Sequence, residues 1–296
     1  MLAPRSLPVG PLPDEPVTTV RPVVPIIRNG DTFPSGVLHG STARDIARLT
    51  NPGPTAVIVP REEHAGWLDE LAELVVTRRL VIARTTLTAV SLDDFARWFR
   101  AALADTTRAV SGPLFDDMTG IVEQVMATTD VGRVTVRVFT EAPTRRCGFH
   151  VDTVPPQAPT IGALRVYNGP TTEYVACDDV MSMAAFYAYL SRRERLSRAA
   201  GAGACSVTAT GSAPGRLIAM DEAPSFLRPR APVHRVPRDA TVYFKHIDVR
   251  QHWSPHPVTD VWIHRSPMQG APRLVLNVSP AQPVPTRRGR RPEARG

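Results

Sequence analysis

The sequence predicts an α+β fold: a jelly-roll barrel (a double-stranded β-helix) with an N-terminal helical region packed against it. Three observations carry that expectation. Apolar residues recur at helical spacing over roughly 37–130, and short alternating or branched runs separated by turn residues follow over roughly 131–280. Both ends are rich in proline and poor in pattern. The reading is one domain over 37–280, between a Pro-rich flexible N-terminus, 1–36, and a basic flexible tail, 281–296.

Taken in order, Ser41 or Thr42 is placed to cap a short helix reaching Leu49, and the branched run Thr55–Val59 reads as a buried strand. Trp67, Leu68, Leu71 and Leu74 fall at helical spacing within 62–76. Ser91-Leu-Asp-Asp is a helix start, because the hydroxyl can cap and the acids favour the positive helix end; Phe95, Trp98, Phe99 and Leu103 then share one face. A further helix is expected over Leu114–Ala127. Val134, Val136 and Val138 alternate with other residues, the period of a half-buried strand. More strands are expected at Gly162–Tyr167, Leu217–Met220, Thr241–Phe244, Val261–His264 and Arg273–Val278. One helix interrupts them, from about Asp179 to Arg198. The Gly/Ala/Ser-rich stretch Ala199–Gly215 reads as a loop.

Composition narrows the function classes. The 296 residues are 43% hydrophobic, enough for a substantial core. No stretch approaches the roughly 18 apolar residues that span a bilayer, and the N-terminus lacks the apolar run of a secretory signal. The expectation is a soluble cytoplasmic protein. Cys147, Cys177 and Cys205 are odd in number and share no repeated spacing, which argues for reduced thiols rather than a disulfide framework or a zinc ribbon. The net charge is +7, but residues 287–296 hold five arginines against one glutamate and so supply +4 of it. The basic character is that of a tail rather than of a nucleic-acid-binding face, and a nucleic-acid role is not expected. No phosphate-binding loop, dinucleotide fingerprint or nucleophile elbow is found.

One constellation carries chemistry. In His150-Val151-Asp152, residues two apart on a strand point to the same face, so an imidazole and a carboxylate converge. His264 closes a second predicted strand, in competition with His246, His252 and His256 as a third ligand. Two histidines and one carboxylate cap one face of a divalent first-row metal and leave cis positions open. Arg273 opens the next strand, where a guanidinium can grip a distal carboxylate as a fork. Ser266 and Arg265 flank His264 and are candidates for the same cosubstrate, although Arg265 points to the opposite face if the strand continues. Arg165 and Tyr167 share parity and, with Glu173 after a Gly-Pro turn, are candidate substrate contacts. Cys147 reads as a small buried hydrophobe rather than a ligand. The order H-x-D, long gap, His, then Arg is similar to that of the Fe(II)/2-oxoglutarate-dependent dioxygenases, which have a cupin-like barrel.

The segments Phe149-His-Val-Asp152, Arg165-Val-Tyr-Asn-Gly-Pro-Thr-Thr-Glu173, His264-Arg-Ser-Pro267 and Arg273-Leu-Val-Leu276 also resemble those of an uncharacterised bacterial family of unknown function, over roughly 55–280. That family carries F-H-x-D, T-Y-x-G-P-G-T-E and H-R-S-P. This chain departs from it at Val166-Tyr167-Asn168, and at Thr171, where glycine is usual. The resemblance implies a jelly-roll core with His150, Asp152 and His264 as ligands. Together these readings predict an oxidoreductase using Fe(II), O2 and 2-oxoglutarate to hydroxylate or desaturate a small molecule; Asp152 favours those outcomes, since a halogenase of this class resembles the same site with a small residue in the carboxylate position. The alternatives are a 2-oxoglutarate-independent iron oxygenase and a non-catalytic metal-binding protein.

Overall fold

A computed structural model describes residues 35–61, 65–143, 148–202 and 213–281. The expected flexible ends fall almost wholly outside the described residues, as do Cys147, Cys205 and most of the expected loop over Ala199–Gly215.

The first elements among the described residues are β1 (Val37–His39), α1 (Ala43–Ala47) and β2 (Ala56–Pro60). Thr42 caps α1 by accepting from the Asp45 amide, and the Asp45 carboxylate returns the bond. After α2 (Ala65–Val76) come β3 (Thr85–Val90), α3 (Leu92–Ala102) and α4 (Arg108–Thr129). Ser91 caps α3 as expected, in a reciprocal capping box with Asp94. Helix α4 begins a turn and a half before the sequence suggests and carries Pro113 within it, where buried Val110 and Leu114 hold the first turns down.

The strands β4 (Val134–Glu141), β5 (Thr153–Val154), β6 (Ile161–Val166) and β7 (Glu173–Tyr174) follow, then α5 (Met183–Ala202) and α6 (Ala213–Glu222). The last elements are β8 (His234–Arg235), β9 (Ala240–Lys245), β10 (Ile247–Asp248), β11 (His264–Arg265) and β12 (Arg273–Pro280).

Among the described residues, seven strands form one sheet in the order β1-β2-β9-β6-β12-β4-β3, antiparallel except for β1 against β2. Two small sheets, β11-β7-β8 and β10-β5, are bridged by a hydrogen-bonded pair between His150 and His264. The large sheet is apolar on both faces. Leu274, Leu276, Val278, Val134, Val136 and Val138 join α2, α3 and α4 in one core. The other face packs Val242, Phe244, Leu164 and Val275 against Tyr174 and Trp262 of the small-sheet layer. Beyond that layer, Phe149, Val151 and Ile263 meet Phe186 of α5 and Met220 of α6. Helices, large sheet, small sheets and a second helix pair thus form successive layers.

Several expectations are corrected. Besides β2, which matches the strand expected at Thr55–Val59, the first zone supplies the unexpected strands β1 and β3 to the large sheet. The partly buried β3 lies at the sheet edge and carries only a weak alternation. Leu217–Met220 is helix α6, not a strand. A four-residue apolar run does not distinguish the two periods, and packing against α5 decides the matter. Val261–His264 is extended, but only His264 and Arg265 pair as a strand. The helix expected from Asp179 starts at Met183, after a 3-10 turn over Cys177–Asp179.

Candidate metal centre

The triad forms where two short extended segments meet. His150 and His264 exchange backbone hydrogen bonds, the His150 amide reaching the His264 carbonyl at 2.8 Å and the reverse bond spanning 3.0 Å. Alternation then sorts the side chains. Phe149, Val151 and Ile263 face α5 and α6, while His150, Asp152, Trp262 and His264 face the large sheet.

The candidate ligand atoms all lie within 4.8 Å of one another. His150 Nε2 is 3.6 Å from Asp152 Oδ1, and His264 Nε2 is 3.9 Å from Asp152 Oδ2. Each imidazole is oriented the same way: His150 Nδ1 is 2.9 Å from the Gly148 carbonyl and His264 Nδ1 is 3.1 Å from that of Trp262. A carbonyl only accepts, so both Nδ1 atoms carry the proton and both Nε2 lone pairs point at the carboxylate. Burial pushes the His264 pKa down to about 3, which keeps the ring neutral at neutral pH. Burial opposes ionisation of Asp152, but the facing imidazoles of His264, His150 and His246 and the Asn277 amide outweigh it, and its carboxyl lies below the usual range. Two imidazole nitrogens and one carboxylate at this separation are a fitting donor set for a divalent first-row metal.

The triad opens into a cavity of about 130 Å³ shared with Ser266, Arg273, Val275 and Asn277. Arg273, Val275 and Asn277 alternate along β12 on the face opposite its leucines. Asn277 donates to Asp152 Oδ2 at 3.1 Å. Arg273 is buried, and its two Nη atoms donate to the Pro170 carbonyl and to Ser266 Oγ, each at 2.8 Å. A larger cavity, about 640 Å³ and lined by Lys245, His246 and His256, excludes the triad. The smaller one holds the donor set, and the chemistry is placed there.

The other sequence candidates stand elsewhere. Arg165 and Tyr167 share parity, but on the helix side of the sheet. Both converge on Asp117 of α4, Arg165 Nε at 3.2 Å and the Tyr167 hydroxyl at 2.7 Å. Glu173 is buried between Arg265, at 2.8 Å, and Arg235, also at 2.8 Å. Arg265 takes the outward position expected of it, lying over the Phe149 ring and donating to the Asp221 carbonyl. These four residues brace layers and do not line the triad's cavity. His252 and His256 pack around Tyr187 instead.

Sequence reasoning missed Asn277, whose parity with Arg273 on a recognised strand was the available signal. It also missed Ser279, which is in hydrogen-bond contact at 3.1 Å with His246; that histidine, weighed as a rival third ligand, stands behind Asp152. Tyr189 was missed as well; it accepts from the Phe149 amide and donates to Asp221, so α5 holds the segment that carries His150.

Fold and site together define a mixed α/β chain with a candidate mononuclear metal centre. Residues 40–208 match a family described as a protein of unknown function (DUF1826), and the chain belongs to that family. No curated protein matches it. Among solved structures, a prolyl-4-hydroxylase of Pseudomonas putida is similar at 10% identity and a TM-score of 0.39, over 82% of this chain and 93% of that one. A dioxygenase for auxin oxidation from rice is similar at 13% identity and a TM-score of 0.39, over 83% of each chain. The dioxygenase for auxin oxidation 1 from Arabidopsis thaliana, in its binary complex with 2-oxoglutarate, is similar at 10% identity and a TM-score of 0.36, over 86% of this chain and 94% of that one. Chains alike to this degree need not share a reaction, and the functional reading rests on the site's own geometry.

Proposed function

We propose that the chain is a non-haem Fe(II)- and 2-oxoglutarate-dependent oxygenase that hydroxylates or desaturates a small molecule. His150, Asp152 and His264 hold the iron, and Arg273 with Ser266 grips the far carboxylate of the oxo-acid. We read the facing sheets as a jelly roll whose interior holds the site. The observation that carries the proposal is the convergence of two Nδ1-anchored imidazoles and Asp152 in one pocket with a buried arginine.

Each protein group has a defined task. The Gly148 and Trp262 carbonyls fix the imidazole tautomers, and Asn277 fixes the Asp152 carboxylate. Pro170 and Ser266 set the plane of the Arg273 guanidinium, ready for a bidentate carboxylate contact. Val275 and Leu164 supply apolar wall between the two ends of the pocket and limit water there. When bound, the iron supplies one-electron and O2 chemistry that no side chain offers.

The test is anaerobic. Adding Fe(II) and then 2-oxoglutarate to the purified protein is expected to give the visible charge-transfer band of a chelated iron–oxo-acid complex, absent in His264→Ala. Iron binding without the band would remove 2-oxoglutarate from the proposal, and no iron binding would overturn it.

A further inference from the structure

The cavity above the triad, about 130 Å³, is well below the roughly 300 Å³ at which pockets begin to enclose drug-sized ligands. A substrate must therefore engage the mouth of the pocket, and the mouth is cationic. Arg84 and Arg137 line it, with Phe139.

The two arginines differ in their commitments. Arg84 forks onto Glu141 through Nε at 3.1 Å and Nη2 at 2.6 Å, and stacks at 4.0 Å on the Phe139 ring. Arg137 is exposed, and among the described residues it makes no side-chain hydrogen bond or ion pair. It stands directly across from Asn277 in the β12–β4 register, on the same face, one strand from the amide that holds Asp152. Antiparallel partners lie about 5 Å apart at Cα.

Charge points the same way. Three arginines line the pocket, Arg84, Arg137 and Arg273, and Glu141 holds the first of them. A divalent metal and a dicarboxylate cosubstrate cancel one another, so loading the site leaves the Arg137 charge in place. With Arg84 held by Glu141, Arg137 is an exposed cation at the mouth, and such a charge attracts anions and favours their entry.

We propose that the substrate carries an oxyanion, a carboxylate or a phosphate, which Arg137 holds at the mouth while the carbon to be oxidised reaches toward His150, Asp152 and His264. This deepens the oxygenase reading and rests on it. Arginine suits the task because its planar fork meets either oxyanion with two parallel hydrogen bonds.

The experiment is a calorimetric titration of the full chain, loaded with Mn(II) and 2-oxoglutarate, with benzoate, phenyl phosphate and benzamide. Benzoate or phenyl phosphate is expected to bind at least about tenfold tighter than benzamide, a gap of roughly 1.4 kcal/mol. The tighter of the two names the oxyanion. Arg137→Gln is expected to remove the gap and leave Mn(II) and 2-oxoglutarate affinities unchanged; Arg137→Lys should restore part of it. Equal binding of all three probes, or an undiminished gap in Arg137→Gln, would overturn the proposal. A loss of 2-oxoglutarate affinity in that variant would also overturn it, by making Arg137 the cosubstrate clamp. Failure of Mn(II) or 2-oxoglutarate to bind the wild type strikes the oxygenase reading instead; the same probes on the unloaded chain then judge Arg137 separately.

Discussion

Two polar clusters lie against opposite faces of the large sheet, and they differ in how their groups are satisfied. On the helix side, Asp117 receives Arg61 on Oδ1, through Nε at 3.0 Å and Nη2 at 2.7 Å, and the Tyr167 hydroxyl on Oδ2, with Arg165 beside Oδ2 as an ion pair at 3.2 Å. Every strong acceptor there has a donor. On the opposite face, His150 Nε2, His264 Nε2 and Asp152 Oδ1 converge, and among the described residues none of these three atoms has a hydrogen-bond donor. A closed cluster is a brace. A cluster of aligned lone pairs without donors is a place for a cation. Both contain residues that the sequence marks as candidates, so residue type alone does not separate them.

Breaking each cluster should have opposite consequences. His264→Ala is expected to abolish Fe(II) or Mn(II) binding, read as loss of the metal-induced rise in melting temperature, which depends on ligand binding to the folded state alone. Asp117→Ala should cost about 3 kcal/mol in denaturant unfolding, because it strands two buried or half-buried arginines and a tyrosine, yet leave metal binding intact below the transition. A variant of Asp117 that loses metal before it loses stability would erase the distinction. Asn277→Ala sharpens it: metal affinity should drop about 10- to 100-fold with little change in melting, since only the orientation of Asp152 is released. The smallest effect is expected from Ser91→Ala, which removes the α3 cap, costs about 1 kcal/mol and leaves metal affinity untouched.

Much of the fold was legible where a single period runs long enough. The alternation of Val134, Val136 and Val138 and the run Arg273–Val278 became the paired central strands β4 and β12. The Ser91 capping signal marked the start of α3. Where segments are short, periodicity fails. Leu217–Met220 fits either period until α5 packs on it, and the two-residue strand β11 has no pattern of its own. The site follows the same rule. His150 and Asp152 were readable as a pair because two-residue spacing fixes a shared face. Arg165 and Tyr167 were also readable as a pair, but spacing does not say which face, and the sheet turned theirs toward α4.

By itself, then, the sequence determined what is local: which residues share a side, where helices α1 and α3 begin, and that an imidazole and a carboxylate are held together at His150 and Asp152. Only the tertiary structure decided which side faces the pocket and which of several histidines completes the set. His264 joins because its backbone pairs with His150, more than a hundred residues earlier; His246 stands behind the carboxylate, and His252 and His256 pack on Tyr187. The physical reason is that parity is a property of one strand, fixed by backbone geometry. The choice of face and partner is made by burial of apolar surface across the whole chain, here by the two helix layers that claim the leucines of β12 and the isoleucine beside His264.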